Sequence, residues 1–435
     1  MSFTKVDYKD QETVITAENM NDIQDAILAL EDGLFTMEDD RSGEIISITD
    51  AANRGFRSLN IFGKTTQDGT PTPDAPVDLV SVGDGGQVEV KVSRKNLLQV
   101  TATSKTVNGL TFTVNADKSI TVNGTATIQT VFDVSAYEFP MQSDFILSGC
   151  PKGGGGNTYS LVAAYFDAIS SAWTNEAYDT GDGLMVAEDA TKKMRVSILI
   201  RKGIPVSNIV FYPMLRQATI TDATYEQHTS QRITSATPNG LPGIPVASGG
   251  NYTDANGQQW ISDEIDFARG VYVRRVGKEV LDGSVPFAWS TSGAFVLLKA
   301  DALQINSGNQ NTMSGVLCDA YPAKTWVAIT ALAQDGASLA WSNGLAVHDN
   351  NFASADEFNA HLATNPITIH YLLATPTETP LPEEELAAYA SLHTYKDHTT
   401  VLNDASAHME LEYVMDAKKY IDGLIAGTIV PATVE

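Results

Sequence analysis

The sequence predicts a mainly β protein, built from jelly-roll or β-sandwich modules with short N- and C-terminal helices, in an elongated oligomer. Short runs rich in Val, Ile, Thr, Phe and Tyr recur along most of the chain. Turn signals separate these runs, among them the pairs Asn108–Gly109 and Asn123–Gly124. Helical periodicity nearly vanishes after Gly43 and returns close to the end of the chain. Many short strands between such turns are typical of antiparallel sandwiches.

A short amphipathic helix is predicted within residues 1–43. Thr16 can cap it, and apolar residues then follow at spacings of three and four, which is a heptad pattern. A helix this short must bury its apolar seam, either against its own chain or in a bundle with other copies. Little chain precedes the helix, which favours a bundle and a role in attachment and oligomerisation. The seam consists of Met20, Ile23, Ile27, Leu30 and Leu34.

The rest of the chain divides by composition. Residues 44–93 are predicted to be an extended linker with short strands, because Pro71, Pro73 and Pro76 each fix φ and remove a backbone donor. A second proline- and glycine-rich stretch begins after residue 222 and is also predicted to be extended. The segments that follow the linker are a jelly-roll-like sandwich (94–222), an extended connector (223–270), a second β-rich domain (271–375) and a C-terminal region (376–435).

The second β-rich domain and the C-terminal region each carry one predicted helix. Ala355–Leu362 follows the capping residue Ser354, and Tyr413–Ile425 repeats the seam pattern. The run Thr325–Leu332 is predicted to be a strand, with Trp326 and also Trp341 in the core. The C-terminal residues assigned to oligomerisation are Tyr413, Tyr420 and Leu424.

Composition limits the possible partners. A net charge of −25 argues against nucleic-acid binding, because the chain would repel phosphate. No run approaches the ~18 apolar residues of a membrane span. The opening residues lack a basic region followed by an apolar one, so no signal peptide is expected. We therefore expect the protein to be made in a cytoplasm. Cys150 and Cys318 are far apart, and two buried thiols are expected.

The residues give little indication of catalysis. The seven histidines show no metal-ligand spacing. Acid pairs such as those within Asp263, Glu264 and Asp266 could in principle serve a glycosidase, which needs two carboxylates about 5–10 Å apart. With 53 acidic residues, such pairs arise by chance. We therefore expect no enzyme activity, no catalytic residue, no metal and no cofactor.

Sugar binding is a further possibility in the first sandwich. Sugar sites combine an aromatic platform with polar groups that fix the hydroxyls. Trp173 and Tyr178 lie in the polar sequence SSAWTNEAYDT, which reads as a loop where aromatic residues are unexpected. Core packing of both rings is the competing interpretation, and calcium binding is an alternative for the nearby acids. The candidate glycan-binding residues are Trp173, Tyr178, Asp179 and Asp182.

Four parts of the sequence resemble tail and minor structural proteins of phages and prophages of Gram-positive bacteria. The most distinctive is the stretch SLNIFGKTTQDGTPTPDAPVDLVSVGDGGQVEV, from Ser58. The others are Tyr8–Ile27; the pair Phe112–Thr125 and Ile209–His228; and Tyr252–Val276 with Leu392–Ile421. In that family the Phe112–Thr125 and Ile209–His228 pair brackets a jelly roll resembling carbohydrate-binding modules.

This resemblance implies a virion structural protein of a tail, baseplate or fibre, without enzymatic activity. It implies a homo-oligomer, most simply a trimer, with other virion proteins as partners and host cell-surface glycan as a further partner. A head fibre or capsid decoration protein is one alternative, and a tail-associated polysaccharide depolymerase is another. No catalytic motif of the family matches this chain.

Overall fold

The computed structural model describes residues 36–135, 139–141, 143–167, 172–187 and 189–416. The N-terminal seam residues Met20 to Leu34, and Tyr420 and Leu424 of the C-terminal seam, lie outside these ranges. The described chain is mainly β, as predicted, with antiparallel sheets and few short helices. Within these ranges, no helix has both the length and the apolar character needed to span a bilayer.

Strands follow one another along the whole described chain. Residues 36–93 form β1 (Thr36–Gly43), β2 (Ile45–Ile48), β3 (Ser58–Phe62), β4 (Thr65–Thr66), β5 (Val80–Ser81) and β6 (Gly86–Ser93). Residues 105–217 form β7 (Lys105–Val107), β8 (Leu110–Val114), β9 (Ile120–Thr125), β10 (Thr130–Asp133), β11 (Phe139–Met141), β12 (Phe145–Ser148), β13 (Tyr159–Asp167), β14 (Ala172–Asp179), β15 (Leu184–Val186), β16 (Asp189–Ile200), β17 (Pro205–Phe211) and β18 (Met214–Gln217).

The described part of the second half, residues 230–416, contains three helices as well as strands. Residues 230–298 form β19 (Ser230–Thr237), β20 (Gly243–Val246), β21 (Tyr252–Thr253), β22 (Gln259–Ser262), β23 (Glu264–Asp266), β24 (Val271–Leu281), β25 (Ala288–Trp289) and β26 (Phe295–Leu298). The remaining elements are β27 (Val316–Cys318), α1 (Trp326–Thr330), β28 (Gly336–Ala340), β29 (Gly344–His348), α2 (Ala355–Leu362), β30 (Ile367–Pro380), α3 (Glu383–Ser391), β31 (Thr399–Asn403) and β32 (His408–Asp416).

Strands from three distant parts of the chain build one sandwich, which we term the composite sandwich (residues 36–93, 230–281 and 367–416), and β27 adds one edge strand from within residues 282–366. One sheet has the order β1-β32-β3-β23-β24-β30-β27, and the other has the order β19-β6-β31-β2. Alternate residues point into the space between them, such as Val88, Val90 and Val92 of β6 and Leu59 and Ile61 of β3. All five are fully buried, as the two-residue period of a strand with one face on a core requires.

Two modules are inserted into the composite sandwich. The first sandwich (94–222) leaves after Ser93 of β6 and returns at Ser230 of β19, and these two residues are directly paired. The second module (282–366) leaves after Leu281 and returns at Ile367, which are paired in β24 and β30. Each insertion therefore begins and ends at neighbouring points of one sheet, so the sheet continues without interruption.

The first sandwich encloses its own core between opposed sheets. One sheet has the order β10-β16-β13-β14, with β11 also paired to β16. The sheets β17-β9-β8-β7 and β15-β12-β18 complete the module. Phe112 of β8 and Phe132 of β10 stack across the core with ring centroids 4.3 Å apart. Near the two ends of this inserted segment, the Asn96 side chain donates to the Glu226 carbonyl (2.8 Å) and accepts from the Leu98 amide (3.0 Å).

The second module packs the sheet β25-β26-β29-β28 and two helices around a dense aromatic centre. Phe358 of α2 is fully buried, with ring centroids 4.5 Å from Phe295 and 5.3 Å from Phe287. The predicted helix Ala355–Leu362 is confirmed, and the Ser354 side chain accepts from the Glu357 amide at 3.2 Å. This bond satisfies one of the free donors at the helix start.

The interpretation of residues 44–93 and 223–270 as extended linkers is wrong. Both segments supply strands and buried side chains to the composite sandwich, for example Val90 of β6 and Ile233 of β19. Residues 376–380, also taken as connector, complete β30. This strand pairing could not be predicted from the sequence, because the partners are far apart along the chain. For example, β3 pairs with β32, roughly 350 residues later, and no local pattern of residues indicates such pairing.

Two local predictions are also wrong. The run Thr325–Leu332 contains the helix α1 rather than a strand: Thr325 caps it by accepting from the Ala328 amide, and Trp326 and Ile329 are buried on one face. Trp326 is in the core, as predicted, but Trp341 is 42% exposed. Spacing of three residues between buried positions fits a helix and not a strand.

Tyr413 lies in strand β32 and not in a helix. Its ring is fully buried in the composite sandwich, and its hydroxyl donates to Asp50 Oδ1 at 2.6 Å. The strand alternates Met409, Leu411 and Tyr413 into the core, a period of two that excludes helix for these residues. The chain itself therefore encloses Tyr413, and it does not form part of an exposed seam.

Candidate functional site

Strand β16 presents one row of side chains outside the core of the first sandwich. Met194, Val196 and Ile198 point inward and are buried. Because side chains alternate along a strand, Arg195 points to the outer face of the sheet. On the neighbouring strand β13, Ala164 stands opposite Arg195.

Trp173 and Tyr178 lie in strand β14, not in the loop that the sequence suggested. Trp173 is paired with Phe166 of β13, and Tyr178 with Val162. Both β13 partners are two positions from the residue opposite Arg195, and directly paired residues point to the same side of a sheet. The structure therefore brings both predicted aromatic residues onto the outer face that carries Arg195.

A cavity of about 370 Å³ opens on this part of the sandwich. Trp173 and Arg195 form one side of it, and the other side comes from the chain that runs beside the end of β10. The amides of Thr101 and Ala102 both donate to the Val134 carbonyl, which holds this chain in place. The residues that line the cavity are Thr101, Ala102, Thr103, Lys105, Phe132, Asp133, Ser135, Trp173 and Arg195.

The Trp173 ring holds the Arg195 guanidinium. The guanidinium carbon lies 4.5 Å from the ring centroid, within the range of a cation–π interaction. Phe166, the residue paired with Trp173, also packs against the ring at a centroid distance of 5.3 Å, tilted by 56°. Arg195 Nε is buried and has no acceptor among the described residues. The guanidinium is therefore fixed in position by packing and not by an ion pair.

The remaining charges of the cavity are unevenly distributed. Asp133 Oδ1 accepts from the Ser197 hydroxyl at 2.7 Å. The Lys105 ammonium lies 5.0 Å from the centroid of the Phe132 ring. Two cations and one carboxylate thus line the cavity among the residues that the structure describes, in a chain whose net charge is −25.

Asp179 is a structural residue and not a ligand-binding one. It is almost fully buried, and Oδ2 accepts from the Cys150 amide at 2.8 Å. Oδ1 accepts from the Gly181 and Gly183 amides, both at 2.9 Å. Both carboxylate oxygens are therefore occupied in holding the turn after β14 against the strand end at Cys150. The assignment of Asp179 to the glycan site is wrong for this reason.

Asp182 is highly exposed in that same turn, 3.9 Å from the Lys152 ammonium. The turn follows the far end of β14 from Trp173. At about 3.3 Å per residue, six residues of strand separate Asp179 from Trp173 by roughly 20 Å. The structure therefore does not bring Asp182 together with Trp173. Within the described ranges, no group of three or more metal-binding side chains is close enough to hold an ion.

Asp263 and Glu264, which were considered as a catalytic pair, instead hold the segment from β22 to β24 together. Asp263 accepts from the Arg275 and Val276 amides at 2.7 and 2.8 Å and from the Tyr272 hydroxyl at 2.7 Å. Burial raises the pKa of Asp263 to about 6. Glu264 forms an ion pair with Arg275 at 2.7 Å. These contacts give each carboxylate a structural role.

Cys150 and Cys318 are buried free thiols, as predicted. Burial raises the pKa of each thiol to about 12, so neither is a thiolate at neutral pH. Reactive-cysteine chemistry has no support here.

Sequence reasoning missed Arg195, Lys105 and Asp133. Arg195 could have been found, because the alternation of Met194, Val196 and Ile198 already places it outside the core. Lys105 and Asp133 could not have been found from the sequence, because they reach the cavity through contacts between strands that are not neighbours in sequence.

Comparisons with known proteins give no family. No family model matches the chain, and no curated protein matches it. One solved structure, titled "Structure of infectious bursal disease virus Gx strain", was found at 8% sequence identity, covering 89% of this chain and 83% of its own. Its TM-score of 0.09 is too low to support any argument about fold or function.

Proposed function

We propose that this protein is a non-enzymatic structural protein of a phage particle, in a tail, baseplate or fibre, whose first sandwich binds host cell-surface glycan. The resemblance of Ser58–Val92 and the other matched segments supports the particle role. The single observation that supports ligand binding is the cavity beside Trp173 and Arg195, which opens on the outer face of a β-sandwich sheet.

Physical chemistry makes this cavity a suitable sugar site. A binding site needs a few fixed polar groups that converge on a concave surface. Arg195 is fixed by Trp173, while Asp133 and Lys105 supply further hydrogen-bonding groups at the same cavity. A single such site binds weakly, and several copies on one particle gain avidity from effective concentration.

Binding of the purified protein to host cell-wall polysaccharide tests the proposal. Trp173→Ala removes the ring that holds Arg195, and we expect about 30-fold weaker binding, since a desolvated cation–π pair contributes about 2 kcal/mol. Trp341→Ala is the matched control: this tryptophan is exposed in the second module, far from the cavity in the sheet order. No binding by the wild type, or equal loss in both variants, would remove the glycan-binding role.

Three further measurements test the particle role and the non-enzymatic assignment. Antibody labelling of intact particles would locate the protein, and labelling at the head would instead indicate a head fibre or decoration protein. Sedimentation of the full chain would show whether it forms the proposed trimer. Release of reducing ends from host polysaccharide would contradict the non-enzymatic assignment and indicate a depolymerase.

A further inference from the structure

The Arg195 guanidinium is the least satisfied cation of the candidate cavity. Its Nε is buried without an acceptor, and no described carboxylate forms an ion pair with it. A buried or half-buried charge normally has a partner, because losing water without replacement costs free energy. The packing against Trp173 compensates only in part, since a cation–π contact leaves the N–H donors of the guanidinium unused.

One face of the Trp173 ring is occupied by Arg195 and is not open to a sugar. One face lies under the guanidinium at 4.5 Å, and Phe166 packs at 5.3 Å. Stacking of a pyranose on that ring would require Arg195 to move away. Trp173 is therefore a positioning residue, which orients Arg195 toward the cavity and does not itself form the sugar platform.

The charges around the cavity favour an anion. Lys105 also lines the cavity, and its ammonium makes no ion pair with a described residue. Among the described residues, Asp133 is the one carboxylate on the wall, and the Ser197 hydroxyl already donates to it. A guanidinium binds carboxylate and phosphate oxygens through two parallel hydrogen bonds, which neutral hydroxyls cannot match in strength.

We propose that the cavity recognises an acidic glycan, with Arg195 binding the carboxylate or phosphate group of the sugar polymer and Lys105 adding a second positive charge. This inference rests on the proposed glycan-binding function. Because the chain carries a net charge of −25, its overall field disfavours such a polymer, and the two cations of the cavity supply a local attraction. The acidic surface thereby adds specificity to the site.

Binding of the full chain to three immobilised polymers tests the inference. They are a uronic-acid polysaccharide, a phosphodiester-linked glycopolymer and a neutral dextran. We expect binding to at least one acidic polymer, weakened by inorganic phosphate and by rising salt, and little binding to dextran. Which acidic polymer binds distinguishes a carboxylate from a phosphate as the recognised group.

Variants then separate the guanidinium from general charge. Arg195→Gln is expected to weaken acidic binding about 10- to 100-fold, the range of a hydrogen bond to a charged group. Arg195→Lys should retain part of the affinity. Trp173→Phe should preserve more binding than Trp173→Leu, because phenylalanine still packs on the guanidinium. Arg232→Gln is the control, an exposed arginine on the composite sandwich, and should bind as the wild type does.

Three outcomes would overturn the inference. Equal affinity of the wild type for dextran and for the acidic polymers would contradict acidic recognition and leave the proposed glycan binding intact. Loss in Arg232→Gln as large as in Arg195→Gln would show a general charge effect and not a site. Absence of binding to every polymer would overturn the proposed function together with the inference.

Discussion

Replacement of Asp179 by asparagine should destabilise the first sandwich without touching the candidate cavity. Asparagine keeps the shape of the side chain, and its one carbonyl oxygen can still accept from the Gly181 and Gly183 amides. The other oxygen becomes an NH₂ group that faces the Cys150 amide, so an acceptor is replaced by a donor. The turn after β14 and the strand end at Cys150 would then be pushed apart.

The size of the effect follows from the bonds that are lost or weakened. A hydrogen bond to a charged acceptor contributes about 1.5–3 kcal/mol, and a buried donor left without a partner costs about 1–3 kcal/mol. One such bond is lost and two change from charged to neutral acceptors. We therefore expect Asp179→Asn to lower the free energy of unfolding by about 3 kcal/mol, which is large against the total stability of a domain.

Chemical denaturation followed by far-UV circular dichroism measures this change. Asp182→Asn is the matched control, because Asp182 lies in the same turn and is exposed; its change should stay within about 0.5 kcal/mol. Glycan binding by folded Asp179→Asn should equal that of the wild type, since Trp173 lies roughly 20 Å away along the strand. Equal unfolding midpoints for Asp179→Asn and wild type would refute the structural role of this carboxylate.

Three further predictions concern the rest of the molecule. Because the pKa of Asp263 is raised from 3.8 to about 6, the folded state binds more protons than the unfolded state between these values, and this group's contribution to stability falls as pH rises through that window. Asp263→Asn should remove that slope, measured as the difference in unfolding midpoint between variant and wild type from pH 4 to 7; an unchanged difference would contradict it. Phe358→Ala should cost about 3–5 kcal/mol in denaturant unfolding, because it empties the aromatic centre of the second module; a loss below about 1 kcal/mol would argue against that packing. Cys150 and Cys318 should resist iodoacetamide in the native protein and both react after unfolding, as mass spectrometry would show; rapid native labelling would contradict their burial.

The candidate site was only partly predictable from sequence. Trp173 and Tyr178 were found because aromatic residues stand out in a polar stretch, and the structure places both on one face of β14. Asp179 was misassigned, because exposure cannot be read from residue type: its partners, the Cys150 amide and the turn glycines, meet it only when strands β12 to β15 assemble. Arg195 was missed, although the alternation of the apolar residues Met194, Val196 and Ile198 around it was visible in the sequence.

What the amino-acid sequence determined by itself was local. Alternating apolar residues fixed which strands form and which face is buried, as at Leu110–Val114, and the Ser354 cap fixed where helix α2 begins. Only the tertiary structure decided that residues 44–93 and 223–270 are parts of one sandwich, because their strands pair with partners more than a hundred residues away. It likewise decided which charges meet at the Trp173–Arg195 cavity. Local patterns record the burial of a side chain, but pairing between distant segments depends on the free energy of the whole assembled core.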